Sequence, residues 1–429
     1  MELYEFSASD LAKMVSWREA SSEEIVRSFL ARITEVNPII NAAVQVFEEE
    51  ALVAARKADT VRNPKAPLHG VPFTAKDIFD IAGQISCAGL PSRRAFRPAV
   101  TAVAVERLLA AGAILIAKTN CPPGGGGGET ANEVYGRTLN PFMLSRTPGG
   151  SSGGEAALVV ARGSPLGLGS DSGGSLRFPA HCCGVFCLKP TTGRIPNIGA
   201  LCLPGGLSDP RTQIGPMARS VEDIELAYGI LAGPDFRDTG TVPVPVAPSA
   251  MAWQRLCRKP RVRFFATDGD MEPTPEIATA VRKVADILRQ HDVDISEGAP
   301  PYCPRRSLEI TRRYWSGKHD KLLADWDEFR SSLSVEFSQW DIFLGPVCAT
   351  TAPAHGGTVS GTTFQYTLPY SLLGSPCLVV PATMSSEGLP ICVQLAASPW
   401  QEDILLALGL LLEKYLCPCP CPLMSPHKS

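Results

Sequence analysis

The stretch GGSSGGEAALVVARGSPLGLGSDSGGSLRFPAHCCG, residues 149–184, decides the fold because it holds two serine–glycine clusters within apolar sequence. A flexible linker is one explanation for such clusters. However, EAALVVARG between them has helical spacing with a glycine stop, and RFPAHCCG after them is apolar. PLGLGSD, before the second cluster, is typical of a short strand or turn. We therefore expect both clusters to lie against a buried core.

The rest of the chain mixes helical and strand patterns. SSEEIVRSFLARI predicts a capped amphipathic helix, and EIATAVRKVADILRQHD repeats the helical spacing. TAVAVERLLAAG and AILIAKTN predict a helix that ends at Gly112 and then a buried strand. CLVVPA and ICVQLAA predict strands, and EDILLALGLLLEKY predicts a late helix. With 429 residues, 45% of them hydrophobic, the chain has enough apolar sequence for one large α/β domain.

Composition excludes several classes of partner. The net charge is −3 and the basic residues are scattered, so nothing indicates nucleic acid or an anionic membrane. The densest basic run, Arg258–Arg263, predicts a solvated entry to a strand. No apolar window reaches the roughly 18–20 residues that span a bilayer, and the first residues do not form a secretory signal. We expect a soluble, cytoplasmic protein.

The 14 cysteines do not indicate a disulfide framework. Their spacing is irregular, and several, such as Cys377 and Cys392, lie inside apolar runs, which is typical of small buried hydrophobic residues. In the final CPCPCP, Cys417, Cys419 and Cys421 alternate with prolines, which favours an unstructured end over a metal site.

The second cluster has a direct chemical use. In SDSGGS, the backbone N–H groups of Ser172, Gly173, Gly174 and Ser175 can converge on an oxyanion, with the hydroxyl of Ser175 beside them. A serine nucleophile of this kind also needs a base.

Three known arrangements of a catalytic serine and its base were compared with the sequence. A G-x-S-x-G hydrolase elbow occurs at 149–153, but FMLSRTP before it does not predict the buried strand that an elbow needs. The S-x-x-K spacing occurs at Ser425–Lys428, in the tail. Lys76, after the short β-like run in HGVPFTAKDIFD, is the third candidate, because burial makes a lysine lose its proton more readily.

Four motifs together resemble the amidase signature family: GVPFTAKD, PGGSSGG, GLGSDSGGSLRFPA and GVFCLKPTTGR. The resemblance extends to GSPCLVVPA and GLPICVQL near the C-terminus, and the chain is similar to members of the fatty acid amide hydrolase, aryl acylamidase and urethanase types. The resemblance implies one α/β domain over 1–416, with a mixed central β-sheet sandwiched between helices. We expect 417–429 to be a disordered tail.

The resemblance also implies the site. Lys76 matches the family's lysine, Ser151 matches the serine preceded by a cis peptide bond, and Ser175 matches the nucleophile. It implies that neutral Lys76 takes a proton from Ser151 and Ser151 takes one from Ser175, which attacks the carbonyl and forms an acyl-enzyme. It also implies that the N–H groups of residues 172–175 hold the oxyanion and that no metal or cofactor is needed.

Three further residues match family positions near this site. Ser152, Asp171 and Arg177 match positions that orient the nucleophile loop, and a purely structural role for them is equally open.

One departure concerns the substrate pocket. After KTN the family usually has larger residues, whereas this chain has five glycines at 124–128. We expect a mobile loop there. Gly124, Gly125 and Gly126 then make a roomier pocket or merely a tolerant loop, and the sequence leaves both open. The chain is also shorter than most members of the family, mostly between about 230 and 370, where the family covers the substrate entrance. A smaller cover suits bulky substrates such as anilides and carbamates.

Three functions follow from these observations. The first is a free-standing amidase, monomeric or homodimeric, that cleaves small amides, anilides, carbamates or esters. The second is the amidotransferase subunit that feeds ammonia to misacylated transfer RNA, with glutamine and partner subunits. The third is an inactive scaffold, against which Lys76, Ser151 and Ser175 argue.

Overall fold

The computed structural model describes residues 2–201, 210–317, 320–356, 361–416 and 421–422. Its α-helices are α1 (Ala8–Trp17), α2 (Ser22–Ile40), α3 (Glu48–Asp59), α4 (Val103–Ala110), α5 (Gly153–Val160), α6 (Arg177–Cys183), α7 (Val221–Leu231), α8 (Ala252–Leu256), α9 (Pro275–Arg289), α10 (Pro304–Trp315), α11 (Leu322–Gln339), α12 (Leu368–Leu373) and α13 (Glu402–Tyr415). Its strands are β1 (Ala43–Val46), β2 (Pro72–Lys76), β3 (Ile114–Thr119), β4 (Ala131–Asn132), β5 (Gly136–Arg137), β6 (Leu166–Asp171), β7 (Phe186–Lys189), β8 (Gln213–Ala218), β9 (Arg261–Phe264), β10 (Asp294–Glu297), β11 (Ile342–Pro346), β12 (Cys377–Met384) and β13 (Pro390–Ala397). Apart from Cys421 and Pro422, the expected tail 417–429 lies outside the described residues.

Eleven of these strands form one mixed sheet in the order β1-β3-β2-β6-β8-β7-β12-β13-β11-β9-β10. β3, β2 and β6 are parallel neighbours, as are β11, β9 and β10. Between these groups, from β6 to β11, each strand runs antiparallel to the next. Helices pack against this sheet, and the predicted class, an α/β domain with a mixed central sheet flanked by helices, is confirmed.

Local sequence explains several helix boundaries. Ser21 caps α2 and forms a capping box with Glu24, because the side chain of each residue accepts a hydrogen bond from the backbone N–H of the other. Ile25, Phe29 and Ile33 form its buried face, as their spacing predicts.

Helix α5 and strand β6 lie between the two serine–glycine clusters, as the sequence predicts. The first cluster leads into the N-terminus of α5, and the second forms the turn between β6 and α6. Both elements are buried throughout. The linker explanation is therefore wrong, because the apolar segments on either side fix both clusters against the sheet.

A second hydrophobic cluster lies beside the main core and is rich in aromatic residues. It is built largely by α10, α11 and α12, which pack against one another. Its buried members include Trp326, Phe329, Phe337, Tyr366 and Tyr370. This cluster supports the segments that approach the second serine–glycine turn.

Cysteines in the described ranges are free thiols. Cys377 and Cys392 are buried in strands β12 and β13, as predicted, whereas Cys257 and Cys303 are exposed. Among the described helices, we find no segment with the length and apolar content that crossing a bilayer requires.

Candidate active site

Lys76 lies at the carboxyl end of β2, next to β6 in the sheet. The two strands are parallel, with Ala75 opposite Leu168, so their carboxyl ends meet at one edge. Lys76 is fully buried, and its Nζ donates a hydrogen bond to Ser170 Oγ at 3.0 Å. The lysine therefore reaches the strand that leads into the second cluster.

Ser151 lies directly before α5, in the first cluster. The Gly150–Ser151 peptide bond is cis, and the Ser151 side chain is buried, with 1% of the residue exposed. Lys76 Nζ lies 2.6 Å from Ser151 Oγ, within hydrogen-bonding distance. The structure thus brings the lysine of one motif into contact with the serine of another.

Ser175 lies in the turn between β6 and α6, and Ser152 joins that turn to the first cluster. The Ser152 N–H donates to the Ser175 carbonyl at 3.1 Å, and Ser152 Oγ donates to the Ser170 carbonyl at 3.1 Å. Ser175 is partly exposed. Within the described ranges its hydroxyl makes no hydrogen bond, to Ser151 or to another residue, so its backbone holds it beside the buried pair.

The backbone N–H groups of residues 172–175 lie in the same turn. None of them donates to a group in the described part of the chain, whereas the next N–H, of Leu176, donates to Asp171 Oδ2. Gly174 has a φ of 145°, and a Cβ there would lie 2.4 Å from Thr367 Oγ1. This stretch therefore offers consecutive donors suited to a negatively charged oxygen.

Asp171 and Arg177 form a buried ion pair behind this turn. Arg177 Nε and Nη2 donate to the two carboxylate oxygens of Asp171, each at 3.0 Å. Burial acts to raise the pKa of Asp171, but the Arg177 guanidinium holds it below its ordinary value. Arg177 Nη2 also donates to Ser371 Oγ at 2.7 Å, which connects the pair to α12. These contacts position the turn.

Glu155, in the first turn of α5, is a buried acid that the sequence analysis missed. Its carboxylate accepts hydrogen bonds from Thr74 Oγ1 and Thr119 Oγ1, both at 2.7 Å. Burial raises the pKa of Glu155 to about 8, although the two threonines and Lys76 act to lower it. The signal in the sequence was an acid directly after GGSSGG, at the start of an otherwise apolar helix.

The glycine run 124–128 lines one side of the site. Pro123–Gly125 form a 3-10 turn, and Gly125 has a φ of 71°. A Cβ at Gly125 would lie 3.2 Å from Ile78 Cγ2 and 3.9 Å from Lys76 Nζ. The run therefore approaches the lysine closely, and its mobility stays a prediction.

Aromatic and aliphatic side chains pack against the turn that carries Ser175, and the sequence analysis missed them too. A Cβ at Gly173 would lie 3.1 Å from Leu368 and 3.3 Å from the Trp315 ring. A Cβ at Gly174 would lie 2.6 Å from the Phe364 ring. Trp315 is 54% exposed. Its ring therefore contacts the turn and also borders solvent.

The Arg211 guanidinium supports the Trp315 ring. Its central carbon lies 5.2 Å from the ring centroid, within the range of a cation–π interaction. The hydroxyls of Ser172 and Thr212 are hydrogen-bonded, so the segment that carries Arg211 is joined to the turn that carries Ser175.

Comparison with known proteins gives one family. A family model described as Amidase matches residues 24–325 and 310–406. The site residues Lys76, Ser151 and Ser175 lie within the matched region.

Individual relatives match over nearly their whole length. A glutamyl-tRNA(Gln) amidotransferase subunit from Chloroflexus aggregans is 32% identical, over 95% of this chain and 96% of the relative. Indoleacetamide hydrolase of Bradyrhizobium diazoefficiens is 32% identical, over 96% and 86%. The structure of 6-aminohexanoate cyclic dimer hydrolase complexed with substrate superposes with a TM-score of 0.85 and 28% identity, covering 99% of both chains.

Proposed function

The chain belongs to the Amidase family, and on that premise we propose that it is a serine hydrolase that cleaves the C–N bond of amides through an acyl-enzyme. One observation carries the proposal: Lys76 Nζ lies 2.6 Å from Ser151 Oγ, both residues are buried, and the next residue, Ser152, donates its N–H to the Ser175 carbonyl. A lysine in contact with a serine hydroxyl is suited to remove its proton. In this assignment Lys76, Ser151 and Ser175 are the catalytic residues.

Acylation uses the pair as a proton relay. Neutral Lys76 accepts the proton of Ser151, and Ser151 accepts the proton of Ser175. The Ser175 oxygen bonds to the carbonyl carbon, and the carbonyl electron pair moves to its oxygen, which accepts hydrogen bonds from the N–H groups of residues 172–175. One such donor is typically worth about 3 kcal/mol in the transition state. As the C–N bond breaks, Ser151 gives a proton to the leaving amine and regains one from Lys76.

Deacylation repeats the relay with water. The same pair removes a proton from water, whose oxygen adds to the ester carbonyl of the acyl-enzyme. The bond to Ser175 then breaks, Ser175 regains its proton, and the carboxylic acid leaves. The enzyme returns to its starting protonation state.

The lining of the site supports a class of substrate. Trp315, Phe364 and Leu368 present an apolar, largely aromatic surface to the turn of Ser175, and the glycine run carries no side chain on its side of the site. The name of the Bradyrhizobium relative describes an aromatic amide as its substrate. We therefore assign small amides with an aromatic group to this site, with anilides, aryl carbamates and aryl esters as further substrates.

Product release from a substrate panel tests the assignment. Purified wild type and Ser175→Ala are mixed with indole-3-acetamide, 4-nitroanilides, aryl carbamates and 4-nitrophenyl esters at mildly alkaline pH. Wild type should release product and Ser175→Ala should not. Ser164→Ala, which removes another buried hydroxyl near the start of β6, is the matched control and should stay active. Equal rates in wild type and Ser175→Ala would mean that the nucleophile is misassigned.

A second function is supported by the Chloroflexus relative, whose similarity covers both chains almost fully. In that function, Ser175 attacks the side-chain amide of glutamine and the ammonia passes to partner subunits. Ammonia release from glutamine, measured with and without added amidotransferase partner subunits, separates the two. Glutaminase activity without cleavage of aromatic amides favours the second function.

A further inference from the structure

Glu155 contacts the strands that carry and adjoin Lys76. Thr74 and Lys76 are two residues apart in β2, so their side chains lie on the same face of the sheet. Thr119 of β3 is the register partner of Lys76. The Glu155 carboxylate accepts one hydrogen bond from each threonine. It therefore bridges β2 and β3 on the face from which Lys76 projects.

The same carboxylate fixes the start of α5. Glu155 lies in the first turn of that helix, four residues after Ser151. It also lies against β6, since a Cβ at Gly167 would be 2.3 Å from Glu155 Oε2. One side chain therefore connects the segment that carries Ser151 to the strand that carries Lys76.

Lys76 is the charged group that acts on Glu155. Asp77 and Lys118 alternate to the opposite face of β2 and β3, where Lys118 Nζ lies 2.8 Å from Asp77 Oδ1. Strand β8 has no ionisable side chain. The remaining buried titratable groups on elements packed against α5 have contacts of their own. They are Asp171 with Arg177, Arg32 with Glu35, His181 with the Thr350 carbonyl, Cys183 with the Pro148 carbonyl, and the Cys182 thiol among Cys183, Cys348 and Cys392.

We propose that Glu155 is a positioning residue for the amide-cleaving reaction: it holds Ser151 against Lys76, and its charge favours the protonated form of that lysine. This inference rests on the proposed function, because it assigns a role through Lys76. Two effects follow from it. Loss of the hydrogen bonds to the Glu155 carboxylate moves Ser151 away from Lys76. Loss of the Glu155 charge alone makes Lys76 easier to deprotonate.

Two substitutions separate these effects. Glu155→Gln keeps the volume and a hydrogen bond to each threonine but removes the charge. Glu155 carries its charge above about pH 8, so in that range Glu155→Gln should shift the rise of kcat/KM to lower pH by about half a unit or more. Glu155→Ala removes both contacts and should lower kcat/KM about tenfold to a hundredfold, because the reacting groups are misplaced. Rescue of most of that loss by Glu155→Gln supports positioning.

A second measurement needs no catalysis. Thermal unfolding is followed at about pH 9 for wild type, Glu155→Gln, Lys76→Met and the double variant. Glu155 is ionised there and buried, so Glu155→Gln should raise Tm. The increase should be larger by about 1 °C or more in the Lys76→Met background, which lacks the cation.

The outcomes distinguish the two proposals. If wild type cleaves none of the substrates, the proposed function fails and the unfolding cycle alone decides whether Lys76 and Glu155 are coupled. A Glu155→Gln enzyme whose pH profile superimposes on that of wild type overturns the inference. A change of Tm on Glu155→Gln that is the same in the wild-type and Lys76→Met backgrounds also overturns it.

Discussion

Asp171 and Arg177 lie at the two ends of the turn that holds Ser175, joined by two hydrogen bonds of 3.0 Å with neither side chain exposed. Asp171 is the last residue of β6 and Arg177 the first of α6. The ion pair therefore holds the two ends of the turn together. Because both charges are buried, each depends on the other for its stability in the folded state.

Removal of the Arg177 guanidinium should destabilise the folded protein strongly. We expect Arg177→Met to lower the free energy of unfolding by about 3–5 kcal/mol at neutral pH, because it leaves a buried carboxylate without its partner. Urea unfolding measures this. Arg237→Met is the control, because Arg237 is 49% exposed in its pairs with Glu106 and Asp235, and it should cost less than about 1 kcal/mol. Similar losses in both variants would contradict the prediction.

The pH dependence of that loss has a definite sign. In wild type the pKa of Asp171 is lowered, so its contribution is present above the ordinary carboxyl range and is lost as pH falls through the folded-state value. Without Arg177, burial raises the pKa of Asp171, and protonation then removes the buried charge. The destabilisation of Arg177→Met relative to wild type should be smaller at about pH 5 than at about pH 8. A difference that grows on acidification contradicts this.

The parts of the site that could be predicted from the sequence are those encoded in short local motifs. The two serine–glycine clusters, the helix between them and strand β6 could be recognised because each pattern lies within a few residues. Lys76 was one of three open candidates for the base, and only the resemblance to the amidase signature family selected it. The structure places its Nζ against Ser151. The order of eleven strands was not predictable, since the pairing of β2 with β6 depends on segments about 90 residues apart.

The site residues that could not be recognised from the sequence contact partners that lie far away along the chain. Glu155 matters because strand register places Thr74 and Thr119 side by side, a fact that no local motif contains. Trp315 reaches the turn of Ser175 because α10 packs beside it, although 140 residues separate them. The five glycines were predicted to form a mobile loop, and the structure adds that one of them, Gly125, lies beside Lys76.

Lys76 should give the reaction an alkaline pH dependence. The relay needs the neutral lysine, so kcat/KM of wild type should rise with pH over the range in which Lys76 loses its proton. Lys76→Met should lower kcat/KM by about a thousandfold or more, since both proton transfers lose their base. Lys57→Met, at an exposed position of α3, is the control. Greatest turnover near pH 5 in wild type would remove Lys76 from the role of base.

The glycines of the pocket loop should differ in their tolerance of alanine. Gly125 has a φ of 71°, and a Cβ there meets Ile78 at 3.2 Å beside Lys76, so Gly125→Ala should lower kcat/KM for bulky aryl amides about tenfold. Gly126 has a φ of −101°, and a Cβ there has ordinary contacts, so Gly126→Ala should stay within about twofold. The triple variant at Gly124, Gly125 and Gly126 should narrow the substrate range. Unchanged kinetics across substrates of different size contradict this.

Trp315 should determine the preference for aromatic substrates. Its ring contacts the turn at Gly173 and borders solvent, so an aromatic group bound near Ser175 can pack against it. We expect Trp315→Ala to lower kcat/KM for aryl amides about threefold to tenfold, the size of a lost aromatic pair, and to change kcat/KM for a small aliphatic amide less. Trp315→Phe should keep most of the preference. Trp17→Ala, another exposed tryptophan at the end of α1, should leave it unchanged. The ratio of kcat/KM for a 4-nitroanilide to that for propionamide measures the effect, and an equal loss on both substrates would mean that Trp315 only supports the fold.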